Sequence, residues 1–324
     1  MENKMNLHAD KELFDIAIKE AGDDFGIKDY FIEKDYWISM VLKRLSESKY
    51  ADAVVFKGGT SLSKGYKLIN RFSEDVDVAV ILTPETSGNQ LKTLIRTVEK
   101  EIASDLKEIE VDRVTSKGSR FRKAVYQFPV IFKQTQNVAI ADTIIVEINS
   151  FSNPYPYQKL GIQCMIGEYL QNQNQIELIQ KYDLGSFKVN VLAKEQTLIE
   201  KLVSLMRVSF DENPSESISG KIRHFYDLYY LMSDEACKNY VSSEEFKVQF
   251  GKVWAHDQLQ FDEPSGWNTK KVQDSVLVKD FESIWDELKA IYTKELSMLA
   301  FSEIPNEKDI ARSFKELINA LVKS

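Results

Sequence analysis

A short apolar run, Val54-Val55-Phe56, ends on Lys57-Gly58-Gly59, and a little further on Asp75-Val76-Asp77-Val78-Ala79-Val80 alternates acidic and apolar side chains. Successive strand side chains point to opposite faces, so the alternation predicts a half-buried strand, with Val76, Val78 and Val80 towards a core and Asp75 and Asp77 together on the other face. Glycine lets a backbone turn sharply and come close to a neighbour, so Gly58-Gly59 predicts a turn out of the first strand and into a helix. Thr60 or Ser61 would cap that helix, whose N-terminal N–H groups would face an anion, and Lys64 would add a positive charge one turn in. The plain alternatives are an ordinary strand-turn-helix and a solvated strand edge. With 50 acidic residues in 324, Asp-x-Asp spacings also arise by chance. Walker A does not fit, because no Gly-Lys-Ser/Thr follows four residues after a glycine.

Two carboxylates about 4 Å apart repel by roughly 1 kcal/mol in water and roughly 4 kcal/mol at a surface-like dielectric. A divalent cation turns that repulsion into attraction, and Mg²⁺ typically takes one or two protein carboxylates plus substrate phosphates. Thr143-Ile144-Ile145-Val146-Glu147-Ile148-Asn149 supplies a third acid, a single charge inside a strand pattern rich in β-branched residues. With Ile144, Val146 and Ile148 on one side, Glu147 shares the other with Ile145 and Asn149. Its plain reading is a carboxylate paired with a nearby Lys or Arg. Asp75, Asp77 and Glu147 together suit a two-metal site for nucleotidyl transfer, one Mg²⁺ held with the nucleotide phosphates and the other activating a hydroxyl.

At these residues the chain resembles the AbiEii/AbiGii-type toxin nucleotidyltransferases, a branch of the DNA polymerase β-like superfamily. The resemblance rests on Ile32-Glu33-Lys34-Asp35-Tyr36-Trp37, Phe56-Lys57-Gly58-Gly59-Thr60-Ser61-Leu62, Phe72-Ser73-Glu74-Asp75-Val76-Asp77, Val146-Glu147-Ile148, Glu200-Lys201-Leu202 and Arg223 to Leu231. It implies a toxin that transfers a nucleoside monophosphate from an NTP, with Mg²⁺, to an acceptor such as the 3′ end of tRNA. It also implies an antitoxin partner. The Gly58-Gly59-Thr60 turn would contact the triphosphate, the paired aspartates would hold metal, and Lys201 and Asp227 would complete the nucleotide pocket. Read without a family, Lys201 lies off the apolar stripe of Leu198, Leu202 and Leu205 and reads equally as a solvated side chain, while Arg223 and Asp227 are spaced for an i,i+4 pair. Tyr226, Tyr229 and Tyr230 pack in a core or stack on a base.

A net charge of −8 argues against broad RNA affinity, because phosphate contacts come chiefly from Lys and Arg. Residues 113 to 123 nevertheless hold Arg113, Lys117, Arg120, Arg122 and Lys123 with no acid, which reads as an RNA track, a triphosphate clamp or an exposed hairpin. The acidic surplus elsewhere suits a basic partner such as an antitoxin. Two cysteines and three histidines give little material for a disulfide framework, zinc site or serine triad, and fit a reducing cytoplasm. No apolar run is long enough to span a membrane.

Periodicity predicts an α+β chain. Helices near 8–21 and 30–47 lead into a mixed sheet of strands near 52–57, 75–82, 109–116, 121–132 and 142–149, with helices at 60–69 and 89–107. After residue 153 the pattern turns helical apart from a strand at 187–192, with helices near 194–208, 219–233, 243–255, 277–295 and 306–322. The expected domains are 1–192, the N-terminal helices with the nucleotidyltransferase α/β domain, and 193–324, helical, with an active cleft between them. Transfer to a protein or small-molecule hydroxyl, an Asp-x-Asp phosphatase-like hydrolase, and a non-catalytic nucleotide- or antitoxin-binding module are the rival readings.

Overall fold

The structure is a computed structural model describing residues 5–84, 86–132 and 142–322. The chain folds as two compact units. One comprises Met1–Tyr66 and Phe72–Leu192, the other Lys67–Arg71 and Ala193–Ser324.

The first unit is built on a mixed sheet of β1 (Val54–Lys57), β2 (Asp75–Val80), β3 (Lys107–Ile109), β4 (Ser116–Lys117), β5 (Phe121–Gln127), β6 (Thr143–Asn149), β7 (Tyr157–Ile162) and β8 (Phe187–Leu192). The strand order is β3-β5-β6-β2-β1-β8-β7, with β4 paired to β5. The β2–β6 and β1–β8 pairs are parallel and the others antiparallel. Among the described residues, six α-helices accompany the sheet: α1 (Lys11–Phe25), α2 (Asp29–Glu47), α3 (Gly58–Lys64), α4 (Gly88–Ile102), α5 (Met165–Asn172) and α6 (Ile176–Lys181).

Local chemistry sets these boundaries. Asp10 caps α1 by accepting the Leu13 N–H, and Gly26 ends it in the left-handed conformation. Ser87 and Gln90 form a capping box that starts α4. Along β2 and β6 the burial alternates as the side-chain pattern requires. Val76, Val78, Ile144, Val146 and Ile148 are buried, whereas Asp75, Asp77, Ile145 and Glu147 are intermediate. Helix α4 packs on β5 and β6, and α2 packs on α1, α4, α5, β6 and β8. Every residue of α2 from Phe31 to Ser39 is buried. A helix enclosed on all sides must find partners for its charges within the protein.

The second unit is helical: α7 (Lys194–Val208), α8 (Pro214–Ser219), α9 (Arg223–Ser233), α10 (Glu235–Val241), α11 (Glu244–Gln260), α12 (Val276–Lys279), α13 (Phe281–Leu299) and α14 (Glu307–Val322). Its core is aromatic, with Phe225 of α9 meeting Phe281, Trp285 and Phe314 of α13 and α14 at centroid distances of 6.2, 5.1 and 4.8 Å. Tyr226 is fully buried beside Tyr230, so packing accounts for that ring, while Tyr229 and Tyr230 are partly exposed.

The α+β class and the helical C-terminal region match the sequence expectation. Several elements differ: the strand expected near 109–116 is the two short strands β3 and β4 with a turn between them, the helix expected at 60–69 is α3 and ends at Lys64, and the helix expected at 277–295 is split into α12 and α13. Tyr157–Ile162, where a helical pattern was expected, is an edge strand paired to β8. The helix expected at 219–233 begins at Arg223, after a separate short α8. No helix among the described residues is long and apolar enough to cross a membrane.

Candidate active site

Strand register aligns the acids. Asp77 of β2 stands opposite Glu147 of β6 in a parallel pair, and Asp75 lies two residues back along β2, opposite Ile145. Neighbouring strands are about 4.8 Å apart and a two-residue step along a strand is about 6.7 Å, which sets the spacing of the three side-chain origins. Lys57 of β1 is opposite Asp77 on the other side, and Lys123 of β5 is opposite Glu147. One row across four strands therefore reads Lys57, Asp77, Glu147, Lys123. The Lys123 ammonium lies 3.5 Å from the Glu147 carboxylate, and Lys57 donates to the Ser152 hydroxyl at 2.9 Å.

The glycine turn is fitted to this row. Gly58 has φ +77°, and a Cβ built there would lie 2.1 Å from Asp77 Oδ2. Only glycine serves at a position that is both left-handed and pressed against a carboxylate. Helix α3 begins at Gly58 itself, with Lys57 as its N-cap and no side-chain cap. The expected capping by Thr60 or Ser61 is therefore corrected. Thr60 donates to the Asp75 carbonyl, tying α3 to the acidic strand, and Ser61 donates to the Gly58 carbonyl at 2.8 Å. Gly59, Thr60 and Ser61 are all buried. Lys64, at the far end of α3, forms a buried ion pair with Asp35 of α2.

Does this row suit Mg²⁺? Its donors are carboxylate oxygens, the hard ligands that ion prefers, and glycine rather than a side chain stands against Asp77 Oδ2. Among the described residues no three His, Cys, Asp or Glu are grouped to hold a metal. The three acids expected as a metal set are thus not grouped as one, and the row is compatible only with an ion that takes one or two protein carboxylates and completes its shell from substrate phosphates.

The basic segment is divided between faces. Arg122 and Tyr126 reach the opposite side of the sheet, where both donate to the buried Glu99 of α4, Tyr126 at 2.5 Å. Lys123 lies on the acidic face. Lys117 is 3.0 Å from both Glu108 and Glu110, and the exposed Arg113 lies 3.8 Å from Asp112. Arg120 is exposed. The five basic residues do not form one continuous track.

In the helical unit, Asp227 is fully buried and holds two cations. Arg71 donates to it through Nε at 2.7 Å and Nη2 at 2.6 Å, and Lys201 lies 2.7 Å away. Burial pushes the Asp227 carboxyl up, but Arg71 and Lys201 outweigh it and hold the group well below the usual carboxylate range. This corrects two readings from helix periodicity. Lys201 is 6% exposed rather than solvated. Arg223 lies 3.6 Å from Glu295, not on Asp227. Sequence reasoning missed Arg71, whose partner is 156 residues away. Beside this cluster, burial and then the charge of Lys201 keep His224 neutral, with its pKa well below 6.5.

Sequence comparison matches residues 41–319 to the family described as nucleotidyl transferase AbiEii toxin, type IV toxin–antitoxin system. No curated protein matches. Among solved structures the chain is similar to MenT4, a nucleotidyltransferase toxin from Mycobacterium tuberculosis H37Rv. The identity is 18% and the TM-score 0.45, over 91% of this chain and 94% of that one. The family match extends across the glycine turn, both acidic strands and most of the helical unit, and the chain belongs to the AbiEii family of nucleotidyltransferase toxins.

Proposed function

We propose that this toxin is a Mg²⁺-dependent enzyme that transfers a nucleoside monophosphate from an NTP to an RNA hydroxyl, such as the 3′ end of a tRNA, in the cytoplasm. The observation that carries the reading is the alignment of Asp77 with Glu147, with Asp75 on the same face and Gly58 pressed against the Asp77 carboxylate. Mg²⁺, as two ions in this reading, would neutralise charge on the triphosphate and lower the pKa of the incoming hydroxyl. Asp75 and Asp77 would hold the ion, and Glu147 orients the acceptor hydroxyl and takes its proton. The hydroxyl oxygen bonds to the α-phosphorus, the bond from that phosphorus to the bridging oxygen breaks, and pyrophosphate leaves with its electron pair.

The backbone at Gly58 and Gly59 borders the phosphates, and Thr60 and Ser61 serve by fixing that turn. Lys64 acts from its pair with Asp35. In the helical unit Lys201 and Asp227 are committed to their own buried cluster with Arg71. Arg113, Lys117, Arg120 and Lys123 are the basic groups offered to RNA, with Arg122 committed to Glu99. A type IV system supplies an antitoxin as partner.

The test is incubation of purified protein with each α-³²P-labelled NTP, Mg²⁺ and total tRNA. Label on RNA that depends on Mg²⁺ is expected. Label on protein with none on RNA would replace the acceptor, and no label anywhere would refute the catalytic reading.

A further inference from the structure

Helix α2 carries Glu33, Lys34 and Asp35 in succession, and their exposures are 1%, 1% and 3%. At 3.6 residues per turn, three consecutive side chains leave a helix about 100° apart. Each accordingly meets a different segment. Glu33 accepts the N–H groups of Ile131 and Phe132 at 2.8 and 3.0 Å. Lys34 Nζ lies 2.7 Å from Glu74 Oε1. Asp35 pairs with Lys64 through one oxygen and accepts the Met165 N–H at 2.7 Å through the other.

Stability does not account for such a set. A buried ion pair is commonly no better than well-packed apolar residues of the same volume, and breaking one by removing a single partner costs about 3–5 kcal/mol. What distinguishes these pairs is where they end. Glu74 directly precedes Asp75, and Lys64 is the last residue of the helix that starts at Gly58. Functional side chains act only when their own supports are fixed, and a helix is a more rigid support than a loop.

We propose that α2 is the positioning element of the transfer centre: Lys34, acting through Glu74, sets where Asp75 stands, and Asp35, acting through Lys64, sets the helix of the glycine turn. Both are positioning residues. The inference rests on the nucleotidyl transfer proposed for the acidic face.

The decisive variant is Lys34→Met/Glu74→Gln, which removes both charges of the pair and leaves the net charge unchanged. Three readouts are taken: melting temperature, Mn²⁺ affinity by electron paramagnetic resonance without nucleotide, and label transfer from NTP. The expected result is a near-wild-type melting temperature, with Mn²⁺ affinity and kcat each reduced about 10- to 100-fold, the range for supports behind a metal ligand. KM for the NTP should move less than kcat. Wild-type kcat and Mn²⁺ affinity in the folded double variant would overturn the proposal and leave the pair a packing feature.

If that variant does not fold, Glu74→Asp keeps both charges and shortens the reach by one methylene. Reduced kcat at wild-type melting temperature then supports positioning, and wild-type kcat overturns it. Absence of transfer by the wild type would refute the catalytic reading, while the Mn²⁺ titration still reads the positioning claim.

Discussion

On the sheet, Asp75, Asp77 and Glu147 stay half-exposed, and the Lys123 ammonium stands 3.5 Å from Glu147. In the helical unit Asp227 has no exposure and three short bonds to Arg71 and Lys201. Both regions gather opposite charges, but the acids of the first are partly exposed and that of the second is sealed. Removing a carboxylate from each region should therefore damage different properties.

The largest effect on stability belongs to the sealed region. Asp227→Ala strands two buried cations and should cost about 3–5 kcal/mol, read by urea denaturation. A loss under about 1 kcal/mol would place Asp227 with the exposed pairs and dissolve the contrast.

Gly58→Ala probes the open region next. It forces an L side chain into the left-handed region, at about 1–2 kcal/mol, and drives a methyl against Asp77 Oδ2. Label transfer should fall by more than that stability loss accounts for. Equal losses would make Gly58 a folding residue only.

A smaller, pH-dependent effect comes from His224. Its folded pKa lies below 6.5, so the unfolded chain takes up a proton that the folded chain refuses as pH falls. Stability is thus present above about pH 6.5 and is lost below it, by at most about 1.4 kcal/mol per pH unit. His224→Gln should flatten that slope in denaturation curves recorded between about pH 7 and 5, and an unchanged slope would show that His224 titrates freely in the fold.

The smallest effect is expected at Lys117, paired with Glu108 and Glu110 on the surface. Lys117→Ser should change stability by less than about 1 kcal/mol. A measurable drop in tRNA labelling with no change in stability would assign that lysine to the acceptor.

How far the sequence discloses this molecule follows from what each segment reports locally. Strands β2 and β6 are legible because one face is apolar and the other polar, so a period of two is written into Asp75–Val80 and Thr143–Asn149. Strand β7 is not, because Tyr157–Ile162 forms a sheet edge and exposes side chains from both faces. The acid alignment is half-legible. The face of each acid follows from alternation, but the pairing of Asp77 with Glu147 depends on register between distant segments. Arg71 illustrates the limit, since no local spacing discloses a partner in α9. For α2 a usable signal existed: Phe31, Ile32, Tyr36, Trp37 and Ile38 leave no polar face, so Glu33, Lys34 and Asp35 have to be buried and paired.

The central claim, that the Asp75–Asp77 face carries the transfer, is tested most directly by Asp77→Asn, which keeps the shape and removes the charge. Label transfer from NTP and thermal melting are measured on the same preparation. The account predicts that transfer falls by more than about 100-fold, beyond what supporting residues usually cost, with the melting temperature within a few degrees of wild type. Transfer within a few-fold of wild type would contradict it.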